Sequence, residues 1–119
     1  MSYDKGNIFA RILRGEIPCK KIYEDALALA FHDISPQAPV HVLVIPKGEY
    51  TDVLDFSRHA GAAEIAAFWQ AVAKVATDLG LENNGFRVIS NCKLHGGQEV
   101  PHFHVHILGG KQLGRMVST

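Results

Sequence analysis

Residues 102–108 read His-Phe-His-Val-His-Ile-Leu, and this alternation constrains the chain more than any other stretch. Side chains of a β-strand point alternately to its two faces. A strand over His102–Leu108 therefore puts His102, His104 and His106 on one face and Phe103, Val105 and Ile107 on the other. The apolar face suits a core. Three imidazoles in a row on the opposite face serve no packing need and point to chemistry carried out on that face.

The rest of the chain supplies partners for such a strand. Asn7 caps a short helix over 8–14, with apolar residues Ile8, Phe9, Ile12 and Leu13 at helical spacing, closed by Gly15 and Pro18. Ile22–Tyr23 begins a strand, Asp25 marks a turn, and 26–32 reads as the antiparallel partner. Ser35-Pro36-Gln37-Ala38-Pro39 is a stiff loop, and 41–45 a buried strand closed by Pro46. From about Arg58 to Leu79 the pattern turns helical. Ile65, Phe68, Trp69, Val72, Val75, Ala76 and Leu79 form one stripe, with Gly80 as the cap. Two further strands are expected, 86–90 and 102–108. This order predicts an α+β fold, an antiparallel sheet with one long and one short helix.

At 119 residues the chain is expected to form a single domain over 1–119. Lys+Arg 12 against Asp+Glu 12 leaves no net charge. No block of like charge suggests nucleic acid, and any bound phosphate must be held by local geometry. The start of the chain lacks a basic stretch followed by an apolar run, and nothing reads as a membrane span. Cys19 and Cys92 form neither a disulfide framework nor a metal spacing. The expected setting is cytoplasmic.

Two chemistries compete for the histidines. His at i and i+2 on a strand can share one zinc ion, with Zn–N of about 2.0–2.1 Å. Positions i and i+4 lie ~13 Å apart along a strand, however, and no second His or Cys pair completes a ligand set. The alternative is nucleophilic catalysis. Neutral imidazole attacks well near pH 7 when one nitrogen holds the proton and the other presents its lone pair. Flanking histidines can then donate hydrogen bonds to phosphoryl oxygens. Just upstream, His95-Gly96-Gly97-Gln98-Glu99 is either an ordinary turn or a loop whose backbone N–H groups cradle an anion. It lacks the Lys-Ser/Thr of a P-loop. Phe31-His32-Asp33-Ile34 ends a strand where Asp33 can hold two sugar hydroxyls and apolar neighbours can cover a base; a turn aspartate is the plainer reading. Asn91, after the 86–90 strand, is a further phosphate candidate.

These segments together resemble the histidine triad family, whose hallmark is His-x-His-x-His followed by two apolar residues. The stretches 7–18, 30–39 and 96–100, with Leu108-Gly109-Gly110, are similar to its Hint branch, the purine nucleoside phosphoramidases, over roughly residues 7–115. The resemblance implies the family's α+β fold in a homodimer whose two sheets join into one. It implies hydrolysis of a purine nucleoside 5′-phosphoramidate, an AMP or GMP derivative, with no cofactor and no metal. His104 would be the nucleophile, His102 would orient it through its backbone carbonyl, His106 would bond the phosphate, and His41 would join the relay behind. Asn91, Gly97, Gln98 and Glu99 would border the phosphate and scissile bond. Asp33 would hold the ribose, with Ile8, Phe9, Ile12, Phe31 and Ile34 around the purine. Two rivals stand beside this reading: a nucleotide-binding regulatory protein with weak hydrolase activity, and a dinucleoside polyphosphate hydrolase of the Fhit branch, which the Gly109-Gly110 ending disfavours. Pro101 replaces a tyrosine usual in the family; lacking an N–H, it is expected at a strand's first residue or an unpaired edge.

Overall fold

The computed structural model of the protein describes residues 2–117, so the expected domain bounds reach past the described residues at both ends. The elements in chain order are α1 (Ile8–Leu13), β1 (Lys21–Glu24), β2 (Ala28–His32), β3 (Val40–Pro46), α2 (Val53–His59), α3 (Ala62–Asp78), β4 (Arg87–Ile89), α4 (Lys93–Gly96) and β5 (Val105–Gly109). The five strands form one antiparallel sheet in the order β1-β2-β3-β5-β4. An α+β antiparallel architecture is as expected, although the helices among the described residues number four rather than two.

Period-2 alternation divides the core between the two faces of this sheet. Ala28 and Ala30 on β2, Val42 and Val44 on β3, and Val105 and Ile107 on β5 pack beneath Phe56 of α2 and Phe68, Ala71, Val72 and Val75 of α3. Alanines on the central strands let α3 approach closely. Leu29, Phe31, Leu43 and Ile45 face the other way and form a second cluster with Phe9 of α1. A helix of six residues would not hold in isolation. The Asn7 side chain accepts the Ala10 N–H at its start, and burial of Phe9 anchors it to the sheet.

Several boundaries differ from the sequence reading by a residue, and four larger differences each have a local reason. The single helix over 58–79 is two helices, because Ala60 and Gly61 are extended between them. The first begins earlier, at Val53, because the buried Asp52 carboxylate caps it through the Asp55 N–H. Trp69, placed in the buried stripe, is 42% exposed. Strand β2 starts at Ala28 rather than 26, because Asp25 Oδ1 accepts the N–H groups of both Leu27 and Ala28 and holds a turn there. The last strand starts at Val105. Residues 102–104 precede it, tied instead to the 46–50 segment by Phe103 N–H donating to Tyr50 O at 2.7 Å. Pro101 thus lies ahead of the strand, where its missing N–H costs no ladder bond.

Candidate active site

Register brings two histidines together first. In the β3–β5 pairing His41 stands opposite Leu108 and Leu43 opposite His106, so His41 and His106 are diagonal neighbours on one face. Their rings bond through His41 Nε2 and His106 Nδ1 at 2.9 Å. His104, two residues earlier on the same face, places its ring 5.1 Å from that of His106. The edge of Phe9 packs against His104, with ring centroids 4.9 Å apart and planes at 84°. Behind them His102 is fully buried.

Backbone groups fix the tautomer of each ring, because a carbonyl only accepts and an N–H only donates. His104 Nδ1 lies 2.7 Å from the carbonyl of His102 and therefore carries the proton, leaving the Nε2 lone pair unused. The Gln37 N–H donates to His41 Nδ1 at 3.0 Å, so His41 is protonated at Nε2 and donates to His106 Nδ1. His106 in turn carries its proton on Nε2, available to a ligand. His102 Nε2 donates to Pro46 O at 2.8 Å, and its Nδ1 accepts the Tyr3 hydroxyl. Ser90 Oγ donates to the His104 carbonyl.

Burial also sets the charge. Desolvation pulls His102 and His106 down to about 4 from the ordinary 6.5, against weaker upward pulls from Pro46 O on the first and from Asp33 on the second. His104 is lowered for the same reason, partly offset by its bond to the His102 carbonyl and the charges of Asp33 and Glu99. All three triad rings are thus neutral at pH 7, as a nucleophile and a hydrogen-bond donor both require.

His104, His106 and His41 open onto a cavity of about 620 Å³. Its apolar wall is Ile8, Phe9 and Ile12 of α1, with Phe31, Leu43 and Val100. Ile34 forms part of its rim and is 94% exposed, an apolar side chain left for a ligand to cover. Asp33 lies beside the histidines. Its Oδ1 accepts the Ser35 N–H at 2.7 Å and its Oδ2 stands 3.4 Å from His41 Nε2, leaving lone pairs for two hydroxyls. Asn91, Gly97 and Glu99 complete the polar side.

Of the residues expected in the site, two stand apart from the cavity. His102 acts from behind through its carbonyl. Gln98 turns away: its Nε2 donates to Thr51 O and Val100 O, and its Oε1 accepts the Lys93 N–H. Its amide braces the loop rather than facing a ligand. The structure adds His32, Ser35, Gln37, Leu43 and Val100 to the lining. It also adds α4, a turn of helix where the sequence suggested only a glycine loop. Lys93 opens it at φ 57°, a left-handed conformation costly for a side-chain-bearing residue. The Gln98 bond to its N–H and an ion pair of its ammonium with Asp52 at 2.9 Å hold it there. Gly97 then closes the turn at φ 75°.

Asp33, His41 and His106 bring one donor atom each within 4.8 Å of one another. Two zinc ligands at about 2.0–2.1 Å and tetrahedral angles stand roughly 3.3 Å apart. The imidazole nitrogens are 2.9 Å apart, and the Gln37 N–H obliges His41 Nε2 to keep its proton. The trio is built as a hydrogen-bond relay.

A family profile described as HIT domain matches residues 14–113. The chain is 56% identical over 117 residues to an uncharacterised HIT-like protein of Azospirillum brasilense, covering 98% of this chain and 96% of that one. It is 45% identical over 111 residues to the purine nucleoside phosphoramidase of Escherichia coli K12, covering 93% and 92%. Among solved structures, a HIT family hydrolase from Clostridium thermocellum superposes with a TM-score of 0.87 at 38% identity, covering 97% of this chain and 99% of that one.

Proposed function

The chain belongs to the HIT domain family, and from that premise we propose that it hydrolyses purine nucleoside 5′-phosphoramidates to a nucleoside monophosphate and an amine. The observation that carries this reading is the His104 ring. Its Nδ1 proton is fixed on the His102 carbonyl, and its neutral Nε2 lone pair borders a nucleotide-sized cavity. The E. coli relative named purine nucleoside phosphoramidase supports the choice of substrate.

In the first step Nε2 of His104 attacks phosphorus. The P–N bond breaks, its electron pair stays on the amine nitrogen, and that nitrogen takes a proton from solvent water in the open cavity. The product on the enzyme is a nucleotidyl-histidine. The imidazole gains positive character as it bonds phosphorus, which strengthens the Nδ1–H bond to the His102 carbonyl. The Nε2–H of His106, backed by His41, stabilises the phosphoryl oxygens, with Asn91 and the Gly97 backbone at the same end. In the second step water attacks phosphorus and gives up a proton to solvent, the P–Nε2 bond breaks with its electron pair returning to Nε2, and the monophosphate leaves. Asp33 accepts the ribose hydroxyls, and the purine lies between α1, Phe31 and Ile34. No step calls for a metal.

The same reading includes a homodimer. The free edge of β4 and the half-exposed Trp69, Phe86 and Val88 offer an unpaired sheet edge with apolar flanks, suited to a second copy. Both cysteines are free, which fits a reducing compartment such as the cytoplasm. Among the described residues no helix is long and apolar enough to cross a membrane.

The test is turnover of adenosine 5′-phosphoramidate, with chelator present, by the parent and by His104→Ala. The parent releases AMP; the variant loses turnover by several orders of magnitude while still binding AMP. An active His104→Ala, or an inactive parent that binds AMP, overturns the hydrolase reading, the second result in favour of a nucleotide-binding regulator.

A further inference from the structure

The proposed mechanism uses the backbone carbonyl of His102 and leaves its side chain without a task. Yet that ring is fully buried, stands apart from the cavity lining and has both nitrogens occupied. A neutral imidazole kept from water needs one acceptor and one donor, or it costs stability. The acceptor is Pro46 O, which obliges Nε2 to keep the proton. Nδ1 is therefore a bare lone pair, and the hydroxyl of Tyr3, 99 residues earlier, donates to it. Burial raises the Tyr3 hydroxyl above its ordinary value, so it stays a donor at neutral pH. The two rings meet edge to face, with centroids 5.7 Å apart and planes at 74°.

The His102 carbonyl belongs to the 102–103 peptide, which lies ahead of β5 and outside its ladder with β3. The N–H of that peptide, on Phe103, donates to Tyr50 O, and the His102 ring donates to Pro46 O. Both bonds lead to the one segment 46–50, so peptide and segment can shift together. Tyr3 supplies a tether in another direction. Asp4 O accepts the backbone and side-chain N–H groups of Asn7, the cap of α1, and Arg14 at the far end of α1 donates to Lys5 O at 2.7 Å. Residues 3–5 are thus fastened to α1, whose Ile8, Phe9 and Ile12 wall the cavity. Phe9 stands edge-on to the rings of both His102 and His104. The Lys5–Glu49 pair also reaches from this segment to 46–50, but it is exposed and contributes little.

We propose that Tyr3 is a positioning residue for the reaction: its hydroxyl fixes the His102 ring, and through it the peptide whose carbonyl holds the His104 proton on Nδ1. This rests on the hydrolase reading and adds to it a residue outside the cavity. Tyr3→Phe keeps the aromatic ring and removes only the donor, leaving a buried Nδ1 unsatisfied. The 102–103 peptide then relaxes, and the 2.7 Å bond from His104 Nδ1 to the His102 carbonyl weakens. Part of the population carries the His104 proton on Nε2, where no lone pair is left to attack. The first step should slow about fivefold, the net effect of one lost hydrogen bond. Tyr3 is not part of the cavity lining, so AMP should bind as before.

The test compares the parent, Tyr3→Phe and Lys5→Ala, the last removing the exposed tether and keeping the hydroxyl. Single-turnover amine release from adenosine 5′-phosphoramidate reads the first step, and titration with AMP reads binding. Ring 15N NMR of histidine-labelled protein at pH 7 reads the tautomer of His104. Tyr3→Phe should release amine about fivefold more slowly, with AMP affinity within about twofold of the parent. It should show both His104 tautomers where the parent shows Nδ1–H alone, and Lys5→Ala should match the parent in all three measurements. An unchanged rate in Tyr3→Phe, an unchanged His104 tautomer, or an AMP affinity that falls in step with the rate overturns the assignment of Tyr3 and leaves the hydrolase reading intact. An equal loss of rate in Lys5→Ala does the same. A parent that releases no amine overturns the hydrolase reading, and the role of Tyr3 with it.

Discussion

Acidification from pH 7 to pH 5 should destabilise this protein through its buried histidines, and His102 allows the size to be worked out. Its ring is fully buried, with Nε2 donating to Pro46 O and Nδ1 accepting the Tyr3 hydroxyl. A second ring proton would displace the Tyr3 bond and leave a charge without solvent, so burial holds the group at about 4. In the unfolded chain the same ring titrates near 6.5. Between those values the unfolded state binds more protons, so stability rises with pH across the window and is lost as pH falls from 6.5 toward 4. For a folded value of about 4, the loss between pH 7 and pH 5 is about 2 kcal/mol from His102 alone. His106, also at about 4, adds to this, though less, because its ring borders the open cavity. The paired carboxylates Glu24 and Asp52 have lowered values and lose their contributions only below the unfolded carboxylate range near 4, outside this interval. Urea unfolding at one fixed protein concentration should therefore show a drop of about 2–4 kcal/mol at pH 5 with an unchanged slope. Ring proton NMR should show His102 still neutral at pH 5. Equal stability at the two pH values, or a His102 that titrates near 6.5, refutes the reasoning.

Two further outcomes follow from particular contacts. Gln98→Leu removes the amide bonds to Thr51 O, Val100 O and the Lys93 N–H while sparing the cavity lining; KM for the phosphoramidate should rise severalfold with a smaller change in kcat, as steady-state kinetics would show. Phe103→Ala empties a position stacked on Phe56 at 4.7 Å and packed against Phe68; it should cost about 3–5 kcal/mol in chemical denaturation.

How far the sequence could be read depended on whether a residue's role was local. The alternation over 102–108 survives even though the strand begins only at Val105. Phe103, Val105 and Ile107 enter the core and the histidines face away, because burial of the apolar set leaves the imidazoles one side. Asn7 as a cap and Asp33 beside the cavity were legible for the same reason. Tyr3 was not, since nothing near it in sequence announces a bond to a ring 99 residues later. Nor was the bracing role of Gln98, because a glutamine in a glycine loop reads equally as a ligand contact or a strut. Asp52 did carry a signal, a capping aspartate three residues before Asp55 and just ahead of an apolar pair. Starting the helix at Arg58 passed over it.

The choice of partner for His104 explains why the acidic groups stand at the margins of the site. A carboxylate bonded to Nδ1 would orient the ring as well as the His102 carbonyl does, but its charge would raise the imidazole toward protonation and consume the lone pair that the proposed mechanism uses. A backbone carbonyl gives orientation without that penalty, and burial then carries His104 below its ordinary value. Asp33, 3.4 Å from His41, is placed one ring further back, where its charge reaches the relay without bonding His104. The readiness of His104 is thus a property of backbone register: the His102 carbonyl sets one end of the device, and the His41–His106 diagonal of the β3–β5 ladder sets the other. Slipping that ladder by one residue would turn His106 to the helix-covered face and sever the relay, leaving an apolar side chain where the proposed mechanism needs a donor.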